Sequence, residues 1–128
     1  MARTEIAITS VADFLKGATL TGTTGDDTND HILRAKSGTR IALICSNRHA
    51  SAITWNIGTS GDQIATFRDA FSRGFVVPAA VAGVAGERAV ILDNSGGAFT
   101  DGDIYIDGSD ANSNLTTWYA YTWRPTWN

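Results

Sequence analysis

Residues 40–57 read RIALICSNRHASAITWNI, and their alternation points to the class of fold. Ile41, Leu43 and Cys45 alternate with Ala42 and Ile44, so both faces of this run are apolar, as in a strand covered above and below. Asn47 to Ser51 is polar, with Arg48 and His49 at its tip. Beyond it Ile53, Trp55 and Ile57 fall on one face and Thr54 and Asn56 on the other, the period of a strand with one wet side. Trp55 is expected to anchor a core, burying on the order of 200 Å². The pair is predicted to face each other as a hairpin at the centre of a β-sandwich.

Cys45 and His49 are the first chemistry to weigh. A lone cysteine inside an apolar run reads as a small buried hydrophobe, and a histidine at a polar tip as a solvated loop residue. A nucleophile pair would need a third group that no spacing supplies. The two glutamates, Glu5 and Glu87, are not placed together by strand alternation, which argues against paired-carboxylate cleavage. Neither a glycine-rich phosphate loop nor a zinc spacing occurs, so the expectation is a non-enzymatic protein without cofactor or metal.

The chain has 128 residues, one domain's worth, and a net charge of −3. Only Lys16 and Lys36 are lysines, so no basic stripe exists to neutralise phosphates, and nucleic acid is not an expected ligand. No window approaches the ~20 apolar residues of a membrane span. Glu5 and Asp13 interrupt what a signal peptide would keep apolar, so manufacture in a cytoplasm is expected.

Upstream of the central pair, Ile6 and Ile8 alternate with Glu5, Ala7 and Thr9, which suits an edge strand or an arm. Residues 1–24 are loosely specified: one helical turn could form at Ala12 to Lys16, and Ala18 to Thr24 returns to strand or loop character. Gly25 to Asp30, GDDTND, gathers turn-capping side chains. Asp26, Asp27, Asn29 and Asp30 also suggest calcium, but without the alternate spacing of a calcium loop the turn is preferred. His31 to Lys36 is a short strand.

Downstream, residues 58–74 read as a long connection pinned by Phe67 and Phe71. Phe75 to Pro78 is a strand ending near an edge, because proline lacks a ladder donor. Ala79 to Gly86, AAVAGVAG, suits close backbone approach or contact with another chain. Glu87 to Asp93 reads as another buried strand, Asn94 to Gly97 as a turn, and Gly102 to Gly108 as an amphipathic strand with Ile104 and Ile106 inward. Ser109 to Asn114 is a loop. In the last strand, Leu115 to Pro125, Trp118, Ala120 and Thr122 share one face, and Tyr119, Tyr121 and Trp123 the other. Seven or eight short strands between polar turns predict a single antiparallel β-sandwich of jelly-roll type, with an extended N-terminal segment.

The order of segments resembles the head decoration, or cement, proteins of tailed phages. The resemblance is carried by the turn Asp27 to His31 and by an apolar strand opened by Arg40 and closed by Ser46-Asn47. Further along it rests on Phe67-Arg68 leading to Val76-Val77-Pro78-Ala79, on GDIYIDGS at 102–109, and on an aromatic strand ending Arg124-Pro125. It spans most of residues 25–125 and departs in the N-terminal quarter and the tail Trp123 to Asn128. It implies a structural protein on the outer surface of a virion capsid, often a homotrimer over a three-fold position, that holds neighbouring major capsid subunits together. Apolar character then nominates Ile6, Ile8, Val11, Val81, Val84, Trp123 and Trp127 as partner contacts. Two other readings share the fold: a carbohydrate-binding module using Trp118, Tyr119, Tyr121 or Trp123, and a tail or baseplate component of the same virion.

Overall fold

The structure, a computed structural model, describes residues 3–10, 21–26, 28–34, 40–58, 75–93, 103–108 and 111–123. Ten strands lie within them. In chain order they are β1 (Thr4–Glu5), β2 (Ile8–Ser10), β3 (Thr23–Thr24), β4 (His31–Arg34), β5 (Arg40–Asn47), β6 (Ile53–Gly58), β7 (Phe75–Val77), β8 (Gly86–Asp93), β9 (Asp103–Gly108) and β10 (Thr116–Trp123). A turn of 3₁₀ helix, Ser113–Leu115, precedes β10.

The strands form two sheets packed face to face, an all-β sandwich. One runs β1-β4-β9-β6-β7; the other runs β2-β10-β5-β8, with β3 also on β10. Most pairs are antiparallel, but β1 lies parallel to β4 and β2 parallel to β10, so both sheets are mixed rather than purely antiparallel. The described strand orders do not establish a jelly-roll connectivity.

The two strands of the opening stretch are in different sheets. β5 is flanked along all eight residues by β10 on one side and β8 on the other, so neither of its edges is free for β6. Instead β6 pairs with β7 and β9. Residues 48–52 are therefore an arch that carries the chain from one sheet to the other, and the expected hairpin is corrected. Asn47, fully buried, builds it: Nδ2 donates to the carbonyls of Ser51 (3.0 Å) and Pro78 (3.1 Å), and Oδ1 accepts from His49 N–H (2.8 Å).

The inward faces follow the alternation. Ile41, Leu43, Cys45, Trp118 and Ala120 of one sheet meet Leu33, Ile53, Trp55, Ile57, Phe75, Val77, Ile104 and Ile106 of the other, all buried. At the centre Trp55 and Trp118 meet edge to face at 5.3 Å, with Phe75 stacked on Trp118 at 5.9 Å, geometries that aromatic quadrupoles favour.

The N-terminal segment makes a second crossing between sheets. β1 pairs in the first and β2 in the second, and Ile6, at the crossing, donates its N–H to Ile32 O (2.9 Å) with its side chain in the core. Residues 3–10 are thus part of the sandwich rather than a free arm. β8 also departs from expectation. Among the described residues it pairs only with β5, at the end of its sheet, and Glu87, Arg88, Ala89 and Ile91 are exposed instead of buried. Arg88 spans the open seam, donating to Val76 O (3.1 Å) with its guanidinium 5.3 Å from the Phe75 ring. β7 is an edge strand followed by Pro78, as predicted. The connection at 59–74, the turn at 94–97 and the helical turn at 12–16 lie outside the described residues.

Candidate functional site

Three connections meet at one pole of the sandwich: the arch at 48–52, the turn at 79–85 and the 3₁₀ turn before β10. They are tied by backbone bonds from Ala80 N–H to His49 O (2.8 Å) and from Arg48 N–H to Leu115 O (3.1 Å), besides the Asn47 side chain. Within the turn Val81 and Val84 exchange both N–H···O bonds at 2.9 Å, around Ala82 (φ 51°) and Gly83 (φ 81°). Two central residues with positive φ are the mark of a two-residue type I′ turn, here carrying its own bridge. The turn displays its valines: Val81 is 71% and Val84 70% exposed. Gly86 allows its return, since a Cβ there would strike the Pro78 carbonyl, a close backbone approach of the kind predicted for this stretch.

The other nominated contacts are placed differently. Ile6 belongs to the core and is not available to a partner; its apolar side chain seals the crossing between the sheets. Ile8, half-buried, packs against that core, opposite Ala120. Trp123 closes the β10 ladder opposite Arg40. Val11 and Trp127 lie outside the described residues. Of the seven, the structure brings together Val81 and Val84 as an exposed pair.

Cys45, His49, Asp26 and Asp30, weighed for chemistry in the sequence, are engaged in structure. Cys45 points into the core, where burial pushes its thiol up to about 12, far from a working thiolate. The His49 ring accepts the Ser51 N–H at Nδ1 (3.1 Å) and so holds its own loop. Asp26 organises the GDDTND stretch as a turn: its carboxylate accepts from Thr4 Oγ1 (2.5 Å), Thr28 N–H and Asn29 N–H (3.0 Å each) and Asn29 Nδ2 (3.3 Å). These bonds, Thr4's first, hold its pKa down to about 2. Asp30, at φ 60°, accepts from Gly108 N–H (3.0 Å). Asp27 lies outside the described residues, and among the described residues no three His, Cys, Asp or Glu side chains converge on a point that could hold a metal.

His31 is the residue the alternation did not single out. It is buried beside Trp55 at 5.5 Å and Trp118 at 6.3 Å. Nε2 accepts the Asp26 N–H (2.9 Å), which leaves the proton on Nδ1, facing Thr4 O at 3.2 Å. Burial pushes its pKa below the usual value, so it is a neutral structural imidazole tying β1, the Asp26 turn and the core together. Its position opening a strand after an acidic turn was the available signal.

The outer face of the β5-β8-β10 sheet is the second surface of note. By register Ala42, Ile44 and Ser46 stand beside Glu87, Ala89 and Ile91 on one side and Thr117, Tyr119 and Tyr121 on the other. Cover over β5 is incomplete, contrary to expectation: Ile44 and Ser46 are half-buried, and Ile91 is 60% exposed. A shallow groove of about 280 Å³ is lined by Ile44, Ser46, Glu87, Tyr119 and Tyr121. No family model, curated protein or solved structure matches the chain.

Proposed function

We propose that this chain is a non-enzymatic structural protein of a virion, a decoration protein that docks on the major capsid protein lattice, on the outer surface of the head, as a homotrimer. The observation that carries the reading is the Val81–Val84 turn. Two exposed valines stand on a type I′ bridge stapled to the arch, a preordered apolar knob of the sort a binding surface keeps for a partner. The sequence resemblance supplies the class of partner, and the structural employment of Cys45, His31 and His49 agrees with a protein that works by contact. A three-fold arrangement would repeat the knob at each capsid junction.

The test is co-sedimentation with shells assembled from the major capsid protein encoded in the same genome. The unaltered chain is expected to bind to saturation, and Val81→Asp/Val84→Asp to remain folded and stay in the supernatant. Absence of binding by the unaltered chain, or undiminished binding by the double variant, would overturn the proposal. Light scattering is expected to return the mass of a trimer.

A further inference from the structure

The groove on the outer face of the β5-β8-β10 sheet is separate from the valine turn and has a different chemistry. Tyr119 and Tyr121 alternate along β10, which places two phenol rings on one face about 7 Å apart along the strand. Ile44 lies opposite Tyr119 in register, and Ser46 and Glu87 pair across β5 and β8 at the groove's end. Among the described residues, no hydrogen bond or ion pair engages the side-chain oxygens of Ser46, Glu87 or Tyr119 within the protein. Burial and the neighbouring Tyr119 push the Tyr121 phenol up from its usual value, so it keeps its proton at neutral pH.

We infer that this groove is a saccharide-binding site, with a pyranose ring lying against the Tyr119 and Tyr121 rings and its hydroxyls meeting Ser46, Glu87 and the Tyr119 hydroxyl. A pyranose presents an apolar C–H face, which suits the electron-rich faces of phenol rings, and a rim of hydroxyls that each need partners. An aliphatic peptide segment would use the apolar floor but leave the carboxylate and hydroxyls desolvated and unpaired, which costs affinity. A phosphate or other anion would meet Glu87 with the wrong charge. The volume of about 280 Å³ lies just below the range of enclosed small-molecule sites, room for one ring resting in a shallow groove rather than a long chain.

The inference does not rest on shell docking, and each can fail alone. It is tested by following the NMR spectrum of the full chain through titration with cellotriose, mannotriose, maltotriose and chitotriose. At least one is expected to give saturable shifts at Ile44, Tyr119 and Tyr121 with a dissociation constant of about 1 mM or tighter, and Tyr119→Ala to weaken it by about tenfold or more. Should Tyr119→Ala fold poorly, Glu87→Ala, at an exposed position, decides the matter with the same expected loss. If no trisaccharide gives saturable shifts there, or if Glu87→Ala keeps full affinity, the inference is overturned.

Discussion

His31 shows how much one side chain can settle. Its imidazole is held neutral because one nitrogen must accept the Asp26 N–H and the other faces Thr4 O, and because protonation would bury a charge among tryptophans. The folded-state pKa is below the unfolded value of 6.5. Above that value both states are neutral and His31 adds no slope. As pH falls below it, the unfolded chain takes a proton that the folded one refuses, so stability drops until the folded pKa is reached. The urea midpoint is therefore expected to fall between pH 7.5 and pH 5.5, and this fall to shrink in His31→Gln, which should itself lose about 2 kcal/mol by unpairing its partners. Equal midpoints at the two pH values would contradict this. Asp26 works in the same direction in a lower window: its contribution is full above 3.8 and is lost as pH falls towards about 2.

At the scale of elements, the two crossings between sheets are what hold the faces in register, and both were hard to see in a linear pattern. Alternation predicts which residues point inward, and it placed Ile41, Leu43, Ile53, Trp55, Ile57, Ile104 and Ile106 in the core; in β10 it grouped Trp118 with Ala120 without saying which of the two ring-bearing faces turns inward. It does not say which strand lies beside which, because a hairpin and an arch share the same apolar period. The distinction lay in Asn47, whose amide reaches Ser51 and Pro78 at once. β8 was misjudged for a related reason: AVIL reads as buried on both faces, yet a strand with one partner among the described residues leaves Ala89 and Ile91 in the open while Val90 packs against the core. The exposed valines were legible because small residues around them suggested a contact; the tyrosine groove was half legible, its rings assigned to one face without the Ser46 and Glu87 rim. Asn47→Ala should cost about 3 kcal/mol in chemical denaturation, since it orphans two carbonyls and an N–H inside the arch. In the turn, Ala82 occupies the left-handed region that asparagine tolerates better, so Ala82→Asn is expected to raise stability by about 0.5 kcal/mol, measured the same way.

For the molecule as a whole, the question is whether the N-terminal segment is an appendage or a wall. An arm could be removed with its docking function while the sandwich stayed as stable as before. The structure makes residues 3–10 a wall: β1 and β2 extend opposite sheets, Ile6 fills the crossing, and Arg3 pairs with Asp107 while lying 4.3 Å over the Tyr105 ring. Burying Ile6 alone is worth about 2 kcal/mol, and Ile6→Ala should cost about 3 kcal/mol once the cavity is counted. Deleting residues 2–10 removes that burial together with both parallel pairings, a loss comparable to the ~5–15 kcal/mol that holds a domain folded. The deleted chain is expected to bind a hydrophobic dye and lose its cooperative thermal transition, whereas Val81→Asp/Val84→Asp should melt within a few degrees of the unaltered protein, as exposed substitutions do. A deletion that melted cooperatively at the original temperature would restore the arm. Lost shell binding on deletion would by itself say nothing about the proposed docking at Val81 and Val84, which is why that proposal has to be tested at the valines themselves.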